Sequence, residues 1–298
     1  MPSVIVTGGS GLIGQSFCRE MQSAGWEVVI VSRSPRRGAS GGQFRQIGWE
    51  DLPLEMENAR AVVNLAGENI GAGRWTKEKK QRIQESRLQA GKMVSQAFFQ
   101  ASRKPEVLIQ SSAIGYYGTQ SGDLSLDETA PVGEDFLAQV GRAWEQSTRE
   151  VEDLGVRRVI IRTGVVLARE GGVLNRMVLP VRLGVGGPLG SGRQWISWIH
   201  IQDQVRAMRF LIETTSTRGV YNLTAPTPVQ NQDFMCTLAK VLRRPCWLPV
   251  PGFALRVLLG EMSTLVLDGQ RVVPARLLAE GFVFAYPHLE EALRNLLE

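Results

Sequence analysis

The stretch that decides the fold is Val4-Ile5-Val6-Thr7-Gly8-Gly9-Ser10-Gly11-Leu12-Ile13-Gly14. A short β-branched apolar run ends in a glycine-rich turn, and an amphipathic run opens directly after it. The glycines have separate tasks. Gly8 permits the tight reversal, Gly11 removes a side chain where a pyrophosphate approaches the backbone, and Gly14 lets the next helix pack closely on the sheet. That helix presents unpaired N–H groups and a positive dipole end to phosphates. Thr7, Gly8, Gly9, Ser10, Gly11, Leu12, Ile13 and Gly14 are therefore expected to bind a dinucleotide. The same residues nearly spell a mononucleotide loop, since Gly9 to Ser16 reads GxxxxG-Gln-Ser. Such a loop needs a lysine where Gln15 stands, to reach the β- and γ-phosphates. Gln15 is uncharged, so nucleoside-triphosphate hydrolysis is excluded.

Working outward, further short apolar runs alternate with longer amphipathic ones. Val4 to Thr7, Val28 to Val31, Ala61 to Leu65, Val107 to Ser111 and Val159 to Arg162 read as strands buried on both faces. Leu12 to Ala24, Thr76 to Ala101 and Phe136 to Leu154 read as helices, with Ala24-Gly25 as a stop signal and Thr76 as an N-cap. This alternation predicts an α/β fold: a Rossmann-like doubly wound parallel sheet with a smaller C-terminal substrate lobe. Residues 1–165 with 201–224 form the expected nucleotide-binding domain, Val220 to Leu223 adding a late strand. Residues 166–200 and 225–298 form the lobe, which covers the carboxyl edge of the sheet, where ligands of such sheets bind. Its glycine-rich Gly184 to Gly192 is read as a loop at the substrate mouth.

The end of the second apolar run selects the cofactor. Sites for NAD place Asp or Glu there, against the ribose hydroxyls. This chain has Ser32-Arg33. A guanidinium pairs with a 2′-phosphate and the hydroxyl can donate to it, so Ser32 and Arg33 point to NADP(H). The other reading of Arg33 is a solvated loop charge. Asn64, Leu65, Ala66 and Gly67 form a bend of small residues suited to the adenosine side of the cofactor, or only a strand-to-loop turn.

Composition limits the alternatives. The 298 residues are 43% hydrophobic and 21% charged, with net charge +5. No apolar run approaches the roughly 20 residues that span a bilayer. Basic pairs such as Arg36-Arg37, Arg157-Arg158 and Arg243-Arg244 are dispersed and lack interleaved aromatics, so neither nucleic acid nor membrane is an expected partner. Three cysteines are too few for a disulfide framework, and with two histidines no metal site is expected. The chain enters Ser3-Val4-Ile5-Val6 without a basic and apolar leader, so a reducing cytoplasm is the expected setting.

Together these residues resemble the short-chain dehydrogenase/reductase superfamily in its extended, epimerase-like branch. The matching stretches are TGxxGxxG at Thr7 to Gly14, NxAG at Asn64 to Gly67, Ser111-Ser112, Arg162-Thr163-Gly164-Val165, HxxD at His200 to Asp203, and Val220-Tyr221-Asn222. Asn64 to Ile70, Ser86-Arg87, Gly115-Tyr116-Tyr117-Gly118, Leu183 to Gly192 and Gly281-Phe282 are similar to an atypical subfamily named only as epimerase family proteins, sometimes with a cell-division label. The resemblance implies cofactor contacts from Ser111, and from Arg87 and Arg162 unless these two are structural ion-pair partners.

The resemblance also implies a Ser–Tyr–Lys catalytic set, and here the chain departs from it. The relevant helix, Phe136 to Glu145, contains no YxxxK. With Glu145 setting the usual register, Leu137 and Gly141 stand in the Tyr and Lys places. Ser112 and Tyr116 remain as candidates to polarise a substrate oxygen. The other reading is that Ser112 bonds only cofactor or backbone and that Tyr116 and Tyr117 pack the pocket wall. His200 is expected to tie its turn to the sheet, and Trp144, Trp195 and Trp198 to lie in the core. Arg182 and Arg193 would favour an anionic small-molecule substrate. Two functions stand: an NADP(H)-dependent oxidoreductase or epimerase acting on a carbonyl or alcohol, and a non-catalytic NADP(H)-sensing regulator. For the two long helices two readings stand: they pair in a homodimer, or Glu145, Glu150, Glu152 and Asp153 make the second of them a solvated face.

Overall fold

The apolar runs assemble into a seven-stranded parallel sheet in the computed structural model, which describes residues 1–35, 43–119 and 122–298. The Arg36-Arg37 pair lies outside the described residues. In chain order the first half contains β1 (Ser3–Thr7), α1 (Leu12–Ser23), β2 (Glu27–Val31), β3 (Arg45–Ile47), α2 (Leu52–Met56), β4 (Ala61–Asn64), α3 (Lys77–Gln100) and β5 (Val107–Ala113). There follow β6 (Ser125–Leu126), α4 (Phe136–Gln146), β7 (Arg157–Thr163), β8 (Val165–Leu167), α5 (Gly172–Arg182), β9 (Trp195–Ile196), β10 (Trp198–His200), α6 (Ile201–Glu213) and β11 (Gly219–Leu223). The remainder holds β12 (Val229–Gln230), α7 (Asn231–Val241), α8 (Gly252–Leu259), α9 (Thr264–Leu267), β13 (Arg271–Val272), α10 (Ala275–Ala279) and α11 (Leu289–Leu297). The main sheet runs β3-β2-β1-β4-β5-β7-β11, every neighbouring pair parallel.

Successive side chains of each strand enter opposite layers. Val4 and Val6, Val28 and Ile30, Ala61 and Val63, Val107 and Ile109, and Val159 and Ile161 pack with Phe17 and Met21 of α1 and Met208 and Leu211 of α6. Ile5, Val29, Val31, Val62 and Leu108 pack the other way, with Leu52, Met56, Val94 and Phe98 from α2 and α3. Each fully buried Ile, Leu or Phe contributes about 1.5–3 kcal/mol of transfer free energy. This two-sided burial explains strands that are apolar without alternation, and it confirms the doubly wound class.

A third cluster joins Leu174 and Val178 of α5, Phe234 and Leu238 of α7, Leu293 of α11 and the indole of Trp198. The C-terminal segment is stitched back onto the sheet. β13 pairs with β6, Leu277 and Phe282 enter the first sheet layer, and Asp203 accepts from the amides of Ala285 and Tyr286, both at 2.8 Å. Among the described residues no helix is long and apolar enough to cross a membrane.

Several expectations need correction. The helix expected over Phe136 to Leu154 stops at Gln146, and a separate 3-10 helix spans Arg149–Leu154. Ser147 Oγ donates to the Trp144 carbonyl at 2.6 Å, and a serine that bonds its own backbone competes with helix continuation. Glu145 is not on a solvated face; it is 8% exposed and ion-paired with Arg162. Trp144 and Trp198 are buried, but Trp195 is half-exposed, donating Nε1 to Asp123 under the Arg271 guanidinium. Cys236 and Cys246 are joined in a disulfide, a bridge that the low cysteine count argued against.

Candidate functional site

The glycine-rich turn stands at the switch point between β1 and β4, where chain connections leave in opposite directions and open a crevice. Gly8 has φ +70°, and a Cβ there would lie 2.8 Å from the Leu65 carbonyl and 2.9 Å from Ala66 N. The turn and the Asn64–Gly67 bend therefore abut. A Cβ on Gly14 would lie 2.4 Å from Gly8 O and 2.8 Å from Gly9 Cα. The third glycine thus allows the helix to close on the turn itself rather than on the sheet. Gly11 is different: a Cβ there would meet only Gly8 O, at 3.4 Å, and Ser10 and Gly11 are exposed. The space beside Gly11 faces outward, as a cradle for phosphate requires. Gln15 Nε2 donates to Ser10 O at 2.8 Å, so its side chain braces the turn from the helix side.

Behind this turn the carboxyl ends of the strands carry a buried polar row. Thr7 Oγ1 donates to Asn64 Oδ1 at 2.7 Å, Asn64 Nδ2 to Gln110 Oε1 at 2.9 Å, and Gln110 Nε2 to the Ser111 carbonyl at 2.8 Å. Thr7 and Asn64 are fully buried, so their side chains tie the strand ends together rather than entering the crevice. Chaining the groups satisfies each one, as burial demands.

The row continues into a denser network at β5, β7 and α4. The Glu145 carboxylate accepts from Ser112 Oγ at 2.7 Å, from Arg162 Nε at 2.9 Å and from Arg162 Nη2 at 3.1 Å. Arg162 Nη1 donates to Tyr117 Oη at 3.0 Å, and that hydroxyl donates to Asn222 Oδ1 at 2.7 Å. Burial pulls the guanidinium of Arg162 down, but the hydrogen bonds and charge of Glu145 carry it above its usual value. Burial also pushes the Tyr117 phenol up, which keeps it protonated. The Arg162 guanidinium lies 3.4 Å from the ring centroid of Tyr116, a half-buried residue. Ser112 is 2% exposed with its proton committed to Glu145, and it lies inside β5 rather than after it. The Tyr and Lys places of the family pattern are filled by packing. A Cβ on Gly141 would sit 3.3 Å from Tyr116 Cα, and Leu137 touches the Gly115 position at 3.2 Å.

The remaining expected residues divide. Arg33 is exposed just beyond β2, and its charge, behind those of Lys79 and Arg82, reaches Glu68. The Lys79 hydrogen bond, Nζ to Oε1 at 2.6 Å, is the main cause that holds Glu68 below the usual carboxylate range. Ser32 Oγ accepts from Ser34 N at 3.2 Å, which shapes the turn that carries Arg33. Arg87 donates Nη1 to the carbonyls of Glu68 and Ile83 and lies 4.7 Å over the Trp144 ring. Burial brings it down to about 10, still protonated at neutral pH. Arg182 instead lines an open cavity of about 490 Å³ with Arg169, Val178, Leu179, Leu296 and Leu297, away from Ser112 and Tyr116. His200 is 1% exposed; its Nδ1 accepts from Gln202 N at 3.1 Å and caps α6. Sequence reasoning missed Glu145 and Asn222 as parts of the network. The signal was available for Glu145, because an arginine inside a buried strand demands a carboxylate partner.

A parallel sheet of this order with this turn is a Rossmann-like, dinucleotide-binding arrangement. Residues 4–224 match the NAD-dependent epimerase/dehydratase family, and residues 250–296 match a domain of unknown function. The chain belongs to that epimerase/dehydratase family. It is 42% identical to epimerase family protein SSP1921 of Staphylococcus saprophyticus, over 100% of both chains. It is 39% identical to epimerase family protein YfhF of Bacillus subtilis, over 99% of this chain and 98% of that one. The crystal structure of human epimerase family protein SDR39U1 with NADPH superposes with a TM-score of 0.90 at 33% identity, covering 99% of this chain and 98% of that one.

Proposed function

We propose that this chain is an NADP(H)-dependent oxidoreductase or epimerase acting on a small carbonyl or alcohol, with Tyr116 as its proton donor. The observation that carries the proposal is the Arg162 guanidinium stacked on Tyr116, 3.4 Å from its ring centroid. The residues fit a dinucleotide, because the cradle is crowded wherever a side chain would enter except beside Gly11. The turn from Ser10 to Ile13, exposed at Ser10 and Gly11, would hold the pyrophosphate, Leu65 to Gly67 the adenosine, and Ser32 with Arg33 the 2′-phosphate that distinguishes NADP(H) from NAD(H). Binding of NADPH by the human relative supports this choice. A bound nicotinamide supplies or accepts the hydride.

The chain's own residues handle the proton. Tyr116 donates its phenolic proton to the substrate oxygen as the carbonyl carbon is reduced, and takes it back in the reverse direction. The phenolate left behind faces Arg162, a fixed positive charge where the family pattern would bring a lysine from α4. Glu145 pins that arginine through two hydrogen bonds. Ser112 acts as a positioning residue, its donor spent on Glu145. The test is NADPH oxidation against a panel of aldehydes, ketones and sugar nucleotides. Tyr116→Phe should lower turnover by about 10²–10⁴ with NADPH affinity retained; equal turnover in wild type and variant overturns the assignment. One observation favours the sensor reading, namely that Gly141 and Leu137 close the usual Tyr and Lys places. Tight NADPH binding with no turnover on any substrate would decide for it.

A further inference from the structure

Outside the crevice, Cys236 and Cys246 form a second reactive feature, one that the proposed function leaves unused. We propose that this pair is a thiol–disulfide exchange site whose redox state sets how firmly the glycine-rich loop Gly184–Gly192 is held.

The loop is gripped from two sides. On one, the start of α7 holds it: Asn231 Oδ1 accepts from Leu189 N at 2.8 Å, and Gln232 N donates to Gly192 O at 2.9 Å. On the other, the segment after α7 holds it. Val250 N donates to Pro188 O at 2.8 Å, Gly190 N to Val250 O at 2.9 Å, and Trp247 Nε1 to Gly184 O at 3.2 Å. The disulfide joins this second grip to α7, since Cys236 lies in the helix and Cys246 ten residues on. It closes a frame around the loop. Between the cysteines the chain reverses at Arg243, a non-glycine residue with φ +54°. Arg243 N donates to Lys240 O and Arg244 N to Ala239 O, the paired bonds of a helix-ending turn that normally takes glycine. Without the bridge, the segment is tied to α7 by a turn that disfavours its own residue and by the packing of Cys246 against the third core cluster.

The exchange is balanced with a small dithiol as reductant. Its thiolate attacks one sulfur, the S–S bond breaks, and the second thiol resolves the mixed disulfide. Two electrons and two protons pass to Cys236 and Cys246, which become thiols, while the dithiol becomes a cyclic disulfide. A disulfide reagent reverses the step. Both cysteines are partly exposed, and exposed Arg243 and Arg244 precede Cys246 by three and two residues, where positive charge favours an incoming thiolate. Cys18 is buried, its thiol pushed up to about 12 by burial, and takes no part.

The experiment compares the full chain treated with oxidised glutathione and with dithiothreitol. Thiols are counted under denaturing conditions, and backbone hydrogen exchange is followed in segments 184–192 and 246–250, with the turn 8–14 as internal reference. One thiol is expected after oxidation and three after reduction. Reduction should speed exchange at Gly190 and Val250 by about tenfold or more and leave the turn unchanged. Cys246→Ser should match the reduced chain under both reagents. If that variant does not fold, tryptic cleavage after Arg243 in the wild type, faster once reduced, replaces it; the Arg244–Pro245 bond resists trypsin in both states. Three thiols after oxidation, or equal exchange and cleavage in both states, overturn the inference.

Discussion

Replacing Glu145 with glutamine puts the centre of the buried network under test. The carboxylate accepts three hydrogen bonds, one from Ser112 and two from Arg162, and the side chains of the ion pair are 10% and 4% exposed. The amide keeps one acceptor oxygen. Its NH₂ group must then face Arg162 Nη2 or Arg162 Nε, donor against donor. More important, the Arg162 charge loses its counterion in a place that water barely reaches. Breaking one side of a buried pair costs about 3–5 kcal/mol, and the retained oxygen places this case near 3 kcal/mol. Urea unfolding of wild type and variant measures the loss. Glu145→Gln/Arg162→Met separates the stranded charge from the lost packing. With the charge gone, the double variant should regain about half of the loss, a coupling of about 1.5 kcal/mol. A single-variant loss below about 1 kcal/mol, or strictly additive losses, would refute the claim that Glu145 neutralises a buried cation.

Four further outcomes are expected. Arg33→Ala should weaken NADPH by about 10–100-fold and NADH by no more than about twofold, the loss of one charge-assisted bond to phosphate, read by calorimetry. Gly14→Ala should abolish NADPH binding and cost about 3 kcal/mol in urea, because its Cβ would fall 2.4 Å from Gly8 O; a variant that binds normally disproves the close helix–turn approach. Arg243→Gly should raise stability by about 1 kcal/mol by removing an L-residue from the left-handed region, seen as a shifted urea midpoint. Burial lowers His200 to about 4. Its folded value is therefore below its unfolded one, so its stabilising contribution is complete above about pH 6.5 and is lost as pH falls towards 4, by about 3 kcal/mol at most. His200→Asn, which retains a capping oxygen, should flatten that part of the stability–pH curve.

The sheet was legible because burial on both faces leaves a sequence signature that nothing else in the chain imitates. Val28 to Val31 and Ala61 to Val63 supply alternate side chains to two separate cores, so every position is apolar. β3 has no such signature. Of Arg45, Gln46 and Ile47 only the isoleucine is buried, as suits an edge strand. The split after Gln146 was illegible for a different reason. It is caused by a hydroxyl bonding back to the Trp144 carbonyl and by the close approach of α3, where a Cβ on Gly91 would overlap Ser147 Oγ at 1.9 Å. The first is a local choice that serine leaves open, and the second is tertiary.

The candidate site shows the same division between local and tertiary information. The glycine turn is a single contiguous segment, and its chemistry follows from spacing. The Arg162 network is assembled from β5, α4, β7 and β11, and no one segment reveals it. Scanning α4 for a tyrosine and a lysine finds leucine and glycine, which suggests that a cation is missing. Yet Gly141 is small where α4 meets the backbone of Tyr116, and a Cβ there would already be tight at 3.3 Å from Tyr116 Cα. The positive charge arrives from the sheet instead, through Arg162, whose register partner in β5 is Ser112. Helix α4 contributes the opposite charge, Glu145, one turn further on. The same small residue that removes the expected lysine thus permits the stacking of Tyr116 on an arginine. The glycine in the lysine's place and the stacked arginine thus meet at one packing contact, and Gly141→Ala, which crowds Tyr116 Cα at 3.3 Å, should shift Tyr116 against Arg162.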